Sequence, residues 1–109
     1  MSYNVSGGNL LPAWTKITSA GAKDILDLGT RAGVLSIMVT ELSGGTPNLT
    51  LEVYDGTNSY FLRYQKPMAA KETFVFNEPF GLDPNQKLRV TVSAGNADVC
   101  VIYINPNQS

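Results

Sequence analysis

Apolar and polar residues alternate in short runs, and the runs recur about every ten residues between Ala13 and Ile104, the spacing of a many-stranded β-domain. Leu49, Leu51 and Val53 alternate with Thr50, Glu52 and Tyr54, and Leu88, Val90 and Val92 alternate with Arg89, Thr91 and Ser93. Side chains on a strand point to opposite faces with period two, so each run lays one apolar face on a core and one polar face in water. The pattern predicts strands at 13–19, 23–28, 34–42, 48–54, 59–65, 72–77, 87–93 and 98–104, separated by breaks rich in Gly, Asn, Asp and Pro. Asp55-Gly56-Thr57-Asn58 reads as the tight connection of a hairpin, with Gly56 free to take a positive φ. No long amphipathic helix and no fixed-period repeat is present. The predicted fold is all-β: an antiparallel two-sheet β-sandwich of jelly-roll type with about eight strands.

Three parts are expected along the chain. Residues 1–12 form an extended, polar N-terminal arm, residues 13–104 the β-sandwich, and residues 105–109 a tail that cannot extend the sheet past Pro106. The arm ends in Leu10-Leu11-Pro12, and the two leucines read as an anchor. The last strand is unusual: Val99, Val101 and Tyr103 share one face, Cys100, Ile102 and Ile104 the other, and both are apolar. Such a strand is either central and covered on both sides, with the arm as one possible cover, or part of a subunit interface.

Composition narrows the chemistry. At 109 residues the chain is one domain, large enough to bury roughly two-thirds of its unfolded surface. Charged residues make up 16%, below the usual level of about 25%. Either part of the surface is covered by something else, or the sandwich uses Thr, Ser and Asn where other folds use Lys and Glu. Net charge is −1 with no basic run, so the positive footprint of a nucleic-acid binder is missing. Nothing resembles a spanning helix or a basic amphipathic one, so no membrane partner is expected. The N-terminal residues lack a charged and greasy leader, and synthesis in a host cytoplasm is expected. Lone Cys100, within the apolar run 99–104, reads as a small buried hydrophobe. Histidine is absent, which removes the commonest general base and metal ligand.

The remaining candidates are few. Glycosidase chemistry needs two carboxylates across a cleft. The candidates Asp24, Asp27, Glu41, Glu52, Asp55, Glu72, Glu78, Asp83 and Asp98 fall mostly at turns or on polar strand faces. Asp83-Pro84-Asn85 and Asp55-Gly56-Thr57-Asn58 could donate oxygens to calcium, but turn chemistry explains both. No catalytic residue, cofactor or metal site is expected. Trp14, Tyr54, Tyr60, Phe61 and Tyr64 are either cross-strand packing or a stacking platform for sugars, with Tyr54 exposed and Tyr60 and Tyr64 sharing a face with Leu62. The residues expected to contact a partner are Leu10, Leu11, Trp14, Tyr54, Ile102 and Ile104.

A family resemblance adds to this reading. The run Gly33-Val34-Leu35-Ser36-Ile37, the hairpin over 49–62 with its Asp-Gly-Thr-Asn turn, the aromatic strand 72–77 and the segment from Pro79 to Val90 resemble small virion proteins of tailed bacteriophages. The chain departs from that pattern at Asn85-Gln86, where relatives commonly carry Gly-Asp. The resemblance covers about residues 17–104 and carries no catalytic motif. It implies a structural protein located in the virion: a capsid decoration (cement) protein that bridges and stabilises major capsid protein subunits, or a tail, neck or baseplate component. It also implies a homo-oligomer, and a homodimer or homotrimer is expected, with residues 2–12 reaching to a neighbouring chain or the shell. A carbohydrate-binding module is the alternative from a different functional class.

Overall fold

The computed structural model describes Asn4, Val5 and residues 8–105, with side chains from Leu10 to Asn105. Ten strands and no helix lie among them: β1 (Asn4–Val5), β2 (Gly8–Ile17), β3 (Gly21–Leu26), β4 (Ala32–Glu41), β5 (Asn48–Tyr54), β6 (Ser59–Pro67), β7 (Thr73–Phe76), β8 (Phe80–Leu82), β9 (Lys87–Val92) and β10 (Ala97–Ile104). One sheet runs β1-β2-β10-β4-β7, with β8 also paired to β4; the other runs β3-β9-β5-β6. All pairings are antiparallel. Apart from the two short strands β1 and β8, β2-β10-β4-β7 faces β3-β9-β5-β6, which is the strand order of a jelly roll.

The alternation read from the sequence is what closes the two sheets on each other. Leu49, Leu51 and Val53 on β5 and Leu88, Val90 and Val92 on β9 point inward, against Ile37 and Val39 of β4 and Val99 and Val101 of β10. Full burial of each such side chain contributes about 1.5–3 kcal/mol. Phe74 and Phe76 face this core together, as expected from their spacing. Gly56 takes φ 97 in the Asp55–Asn58 turn, and the Asp55 carboxylate accepts the Thr57 and Asn58 N–H groups at 2.9 and 2.7 Å. Those bonds hold its carboxyl below the ordinary range.

Three expectations need correction. Strand pairing does not start at Ala13. Residues 8–12 already belong to β2, and Leu10, Leu11 and Pro12 lie opposite Ile104, Tyr103 and Ile102. Pro12 is tolerated because β1 pairs only with Gly8 and Asn9, which leaves the rest of β2 on the sheet edge. The rest of the expected arm (residues 1–3, 6 and 7) and the tail beyond Asn105 lie outside the described residues. Second, the loop 78–86 contains β8, held against Ala32, Gly33 and Val34, so β4 begins two residues earlier than expected. Third, Tyr60, Leu62 and Tyr64 do not share a face. Two bulges in the β5–β6 ladder, and a positive φ of 49 at Gln65, break the period-two alternation.

One loop cluster rests on a charge. Glu41, at the end of β4, is buried, and Gly95 packs beside it with φ +82. A Cβ on Gly95 would fall 2.5 Å from Ser43 Oγ, whereas one on Gly29 (φ +69) would meet nothing within 4 Å. Both Gly→Ala changes carry the left-handed cost of roughly 1–2 kcal/mol, and Gly95→Ala adds the clash. Gly95→Ala is therefore expected to lower Tm more than Gly29→Ala in parallel thermal melts; equal losses would count against the close packing of this loop.

Candidate interaction face

β10 sits between β2 and β4, and their registers assign each of its outward residues to a row across the sheet. Ile104 lies between Leu10 and Gly33; Ile102 between Pro12 and Ser36; Cys100 between Trp14 and Met38, with Val75 of β7 beyond Met38; and Asp98 between Lys16 and Thr40. The first three rows are apolar apart from Ser36. The fourth is polar: Lys16 Nζ meets Asp98 Oδ1 at 2.8 Å, and the Thr40 and Thr73 hydroxyls lie 3.0 Å apart. The outward surface of this sheet is thus an apolar belt bordered on one side by ions and hydroxyls. Strand and residue spacings give the belt a footprint of roughly 300–400 Å², the size of the functional patches found on soluble monomers.

No described element covers the belt. Trp14 is 71% exposed and Val75 49%. A Cβ placed on Gly33 would meet nothing within 4 Å. Cys100 is buried beneath its neighbours, and desolvation pushes its thiol pKa up, so it behaves as the small hydrophobe expected. The two-faced last strand is therefore central, covered inside by the opposite sheet and not covered outside.

Four of the six expected contact residues, Leu10, Trp14, Ile102 and Ile104, come together on this belt. Leu11 does not join them: it lies opposite Tyr103, which packs on the core, and so faces inward. Tyr54 does not join them either. It lies on the other sheet, half-buried, with the Arg89 guanidinium 4.2 Å from its ring centre. Arg89 donates to Asp24 at 2.8 Å, a bond that raises its pKa above the ordinary value. The outer face of the four-stranded sheet is thus a polar lattice of Asp24, Glu52, Tyr54, Lys87 and Arg89. Pro12, Met38 and Val75 belong to the belt and were not anticipated. Their membership follows from cross-strand register, which is set over long sequence distances.

A second apolar feature lies on β6, where Tyr60, Phe61 and Tyr64 are each more than half exposed. Phe61 and Tyr64 meet edge to face, with centroids 4.7 Å apart and planes at 66°. That is stable aromatic packing, but two rings at this angle do not form a flat platform for a sugar.

Each acidic side chain has local work. Asp24 and Asp27 meet Lys87, and Asp24 also meets Arg89; Asp83 meets Arg31, Glu78 meets Arg63, Glu72 meets Lys66, and Asp98 meets Lys16. Glu52 interacts with Arg89, Asp55 caps its own turn, and Glu41 holds a loop. Among the described residues no group of three or more His, Cys, Asp or Glu side chains could hold a metal ion, and no helix is long and apolar enough to cross a membrane.

No protein-family model matches the chain, and no curated protein matches it in sequence. Solved structures do match in shape. One is a pentameric capsid protein isolated from metagenomic phage sequences, with a TM-score of 0.55 at 12% identity over 86% of this chain and 61% of that one. Another belongs to the Gx strain of infectious bursal disease virus, with a TM-score of 0.53 at 11% identity over 90% of this chain and 32% of that one. A third is the nucleoplasmin-like N-terminal domain of Drosophila FKBP39, with a TM-score of 0.52 at 6% identity over 88% and 89% of the two chains. The chain spans less than two-thirds of the length of either viral protein. At these identities the likeness is one of fold: two antiparallel sheets in jelly-roll order, an architecture that viral shells use and that also occurs outside them.

Proposed function

We propose that this chain is a non-enzymatic structural protein of a phage virion, and that it works as a capsid decoration protein clamping neighbouring subunits of the major capsid protein. The observation that carries the reading is the uncovered apolar belt on the outer face of the six-stranded sheet. A clamp needs an apolar contact surface on a rigid scaffold and no chemistry of its own. Apolar area buried at a joint contributes roughly 25 cal/mol per Å² before association costs are subtracted. The fold shared with viral capsid proteins supports the reading, as does the pairing of the acids with local cations and loop amides, which leaves no carboxylate pair facing across a cleft.

The test is copy number and attachment. Gel densitometry of purified virions is expected to find hundreds of copies per particle; a handful would move the protein to the tail, neck or baseplate. Ile102→Asp places a charge in the middle of the belt. It is expected to leave the far-UV circular dichroism spectrum unchanged and to abolish binding to particles stripped of the protein. Unchanged binding by that variant would overturn the assignment of the belt.

A further inference from the structure

We propose that the chain assembles head to tail with copies of itself, the aromatic edge of β6 on one copy seating in the groove beside Trp14 on the next. This rests on the structural role proposed above and names one of the partners that role requires: a second copy of the chain.

The two surfaces lie on opposite flanks of the sandwich. β2 lies at the flank where its sheet meets β3. β6 lies at the flank where its sheet meets β7: the Arg63 guanidinium stands 4.8 Å over the Phe76 ring, and the Lys66 amine 4.7 Å over Phe74. In the four-stranded sheet these flanks are its two edge strands, β3 and β6.

The surfaces are also complementary in shape and polarity. At the edge of β2 a groove of about 200 Å³ is lined by Trp14, Thr15, Lys16 and Asp98. It offers an indole wall and, at one end, the Lys16–Asp98 ion pair. On β6, Phe61 lies opposite Glu52 on the outer face of its sheet, the bulges that follow bring Tyr64 edge to face with it, and both are more than half exposed. A tyrosine is an apolar ring with one polar tip, which suits a groove that has an apolar wall and an ion pair at its end.

Area favours this pairing over a two-fold one. An aromatic side chain buries about 150–250 Å². Trp14, Phe61 and Tyr64 together expose roughly 300–400 Å² of that, between a fifth and a quarter of the ~1,600 Å² total that a stable pair buries. A two-fold contact through the groove would cover Trp14 and leave the β6 aromatics in water. Direct strand-to-strand continuation is also disfavoured, because Pro12 removes a donor from the β2 edge and the bulges twist the β6 edge. Contacts between two different patches on opposite flanks generate a ring when the rotation closes.

The test uses the full chain in sedimentation-velocity runs at high micromolar concentration. The wild type is expected to sediment as an assembly of three or more copies. Trp14→Ser and Tyr64→Ser are each expected to sediment as folded monomers, with unchanged far-UV circular dichroism. Each variant retains the surface that the other has lost, so an equimolar mixture is expected to form a one-to-one heterodimer. As a second measurement, a photo-crosslinking phenylalanine replacing Tyr64 is expected to link to a peptide containing residues 14–16 of another copy. A monomeric wild type overturns the proposal. So does an assembly that Trp14→Ser abolishes and Tyr64→Ser leaves intact, which would be a two-fold contact through the β2 side. So does a mixture that stays monomeric, or a crosslink to any other segment. A ring-forming protein found to be missing from virions would sink the virion reading and leave this one standing; a monomer found in hundreds of copies per particle would do the reverse.

Discussion

Replacing Leu51 with alanine is expected to destabilise the domain by about 3 kcal/mol, the middle of the range for buried Leu→Ala changes. Leu51 lies at the centre of the four-stranded sheet, opposite Val90 on one side and Arg63 on the other, and is fully buried. Its truncation removes methyl groups from the layer where the two sheets meet, and strands paired on both sides cannot collapse into the gap. Leu42, just beyond the end of β4, is 46% exposed and has no such layer to support. Leu42→Ala should change stability by no more than about 0.5 kcal/mol. At about 4–8 °C per kcal/mol for a domain near this size, the Leu51 variant should melt roughly 12–24 °C below the wild type. Thermal unfolding followed by circular dichroism checks this. Similar Tm values for the two variants would mean that the inward face of β5 is not the core.

The same alternation that marks Leu51 as buried made most of the fold legible. Strands β5, β9 and β10 follow runs in which one face is wholly apolar, and each boundary falls within a residue of the expected one. Legibility failed where a local rule was outvoted by position in the sheet. Pro12 reads as a stop, yet an edge strand can absorb a missing donor. Gly81 between Pro79 and Pro84 reads as loop, yet three residues suffice to pair with Ala32–Val34. Tyr60, Leu62 and Tyr64 read as one face only while β6 is assumed regular, and its bulges are specified by pairing with β5. The interaction face shows the same division. That the outward residues of the last strand are apolar is a local fact. That Trp14, Met38 and Val75 flank Cys100 depends on register between strands up to 86 residues apart in the chain (Trp14 and Cys100), which alternation alone does not encode. The burial of Glu41 is hidden in the sequence for a related reason: a carboxylate at a strand end looks solvated until the loops around it are known. The signal available was the Ser43-Gly44-Gly45 loop that follows, whose N–H groups need an acceptor.

Glu41 should give the wild type an acid-sensitive stability that Glu41→Gln lacks. Its carboxylate accepts the Lys71 N–H at 3.0 Å, the Ser43 hydroxyl, the Ser43 N–H at 2.6 Å and the Gly44 N–H at 2.9 Å. The β4–β5 loop and the β6–β7 connector thereby converge on one anion, and the same hydrogen bond holds Lys71 at its φ of 60. The Lys71 N–H and then the Ser43 hydroxyl do most to lower the Glu41 pKa, from an ordinary 4.5 to about 2, against desolvation, which acts to raise it. A carboxyl whose pKa is lower in the folded state stabilises the fold fully above its unfolded pKa, and that contribution drains away as pH falls toward the folded value. The window here runs from about pH 4.5 down to about pH 2. Glutamine keeps the shape and offers one acceptor oxygen, but its amide turns donors toward donors. Glu41→Gln is therefore expected to melt below the wild type at pH 7, to lose less Tm on acidification, and to converge with the wild type near pH 2. Asp55, also held below its ordinary range, contributes the same acid loss to both proteins and leaves the difference between them intact. Melting curves at pH 7, 4 and 2 decide the matter: a Tm gap that stays constant across this range would show that the Glu41 charge does not hold the two loops together.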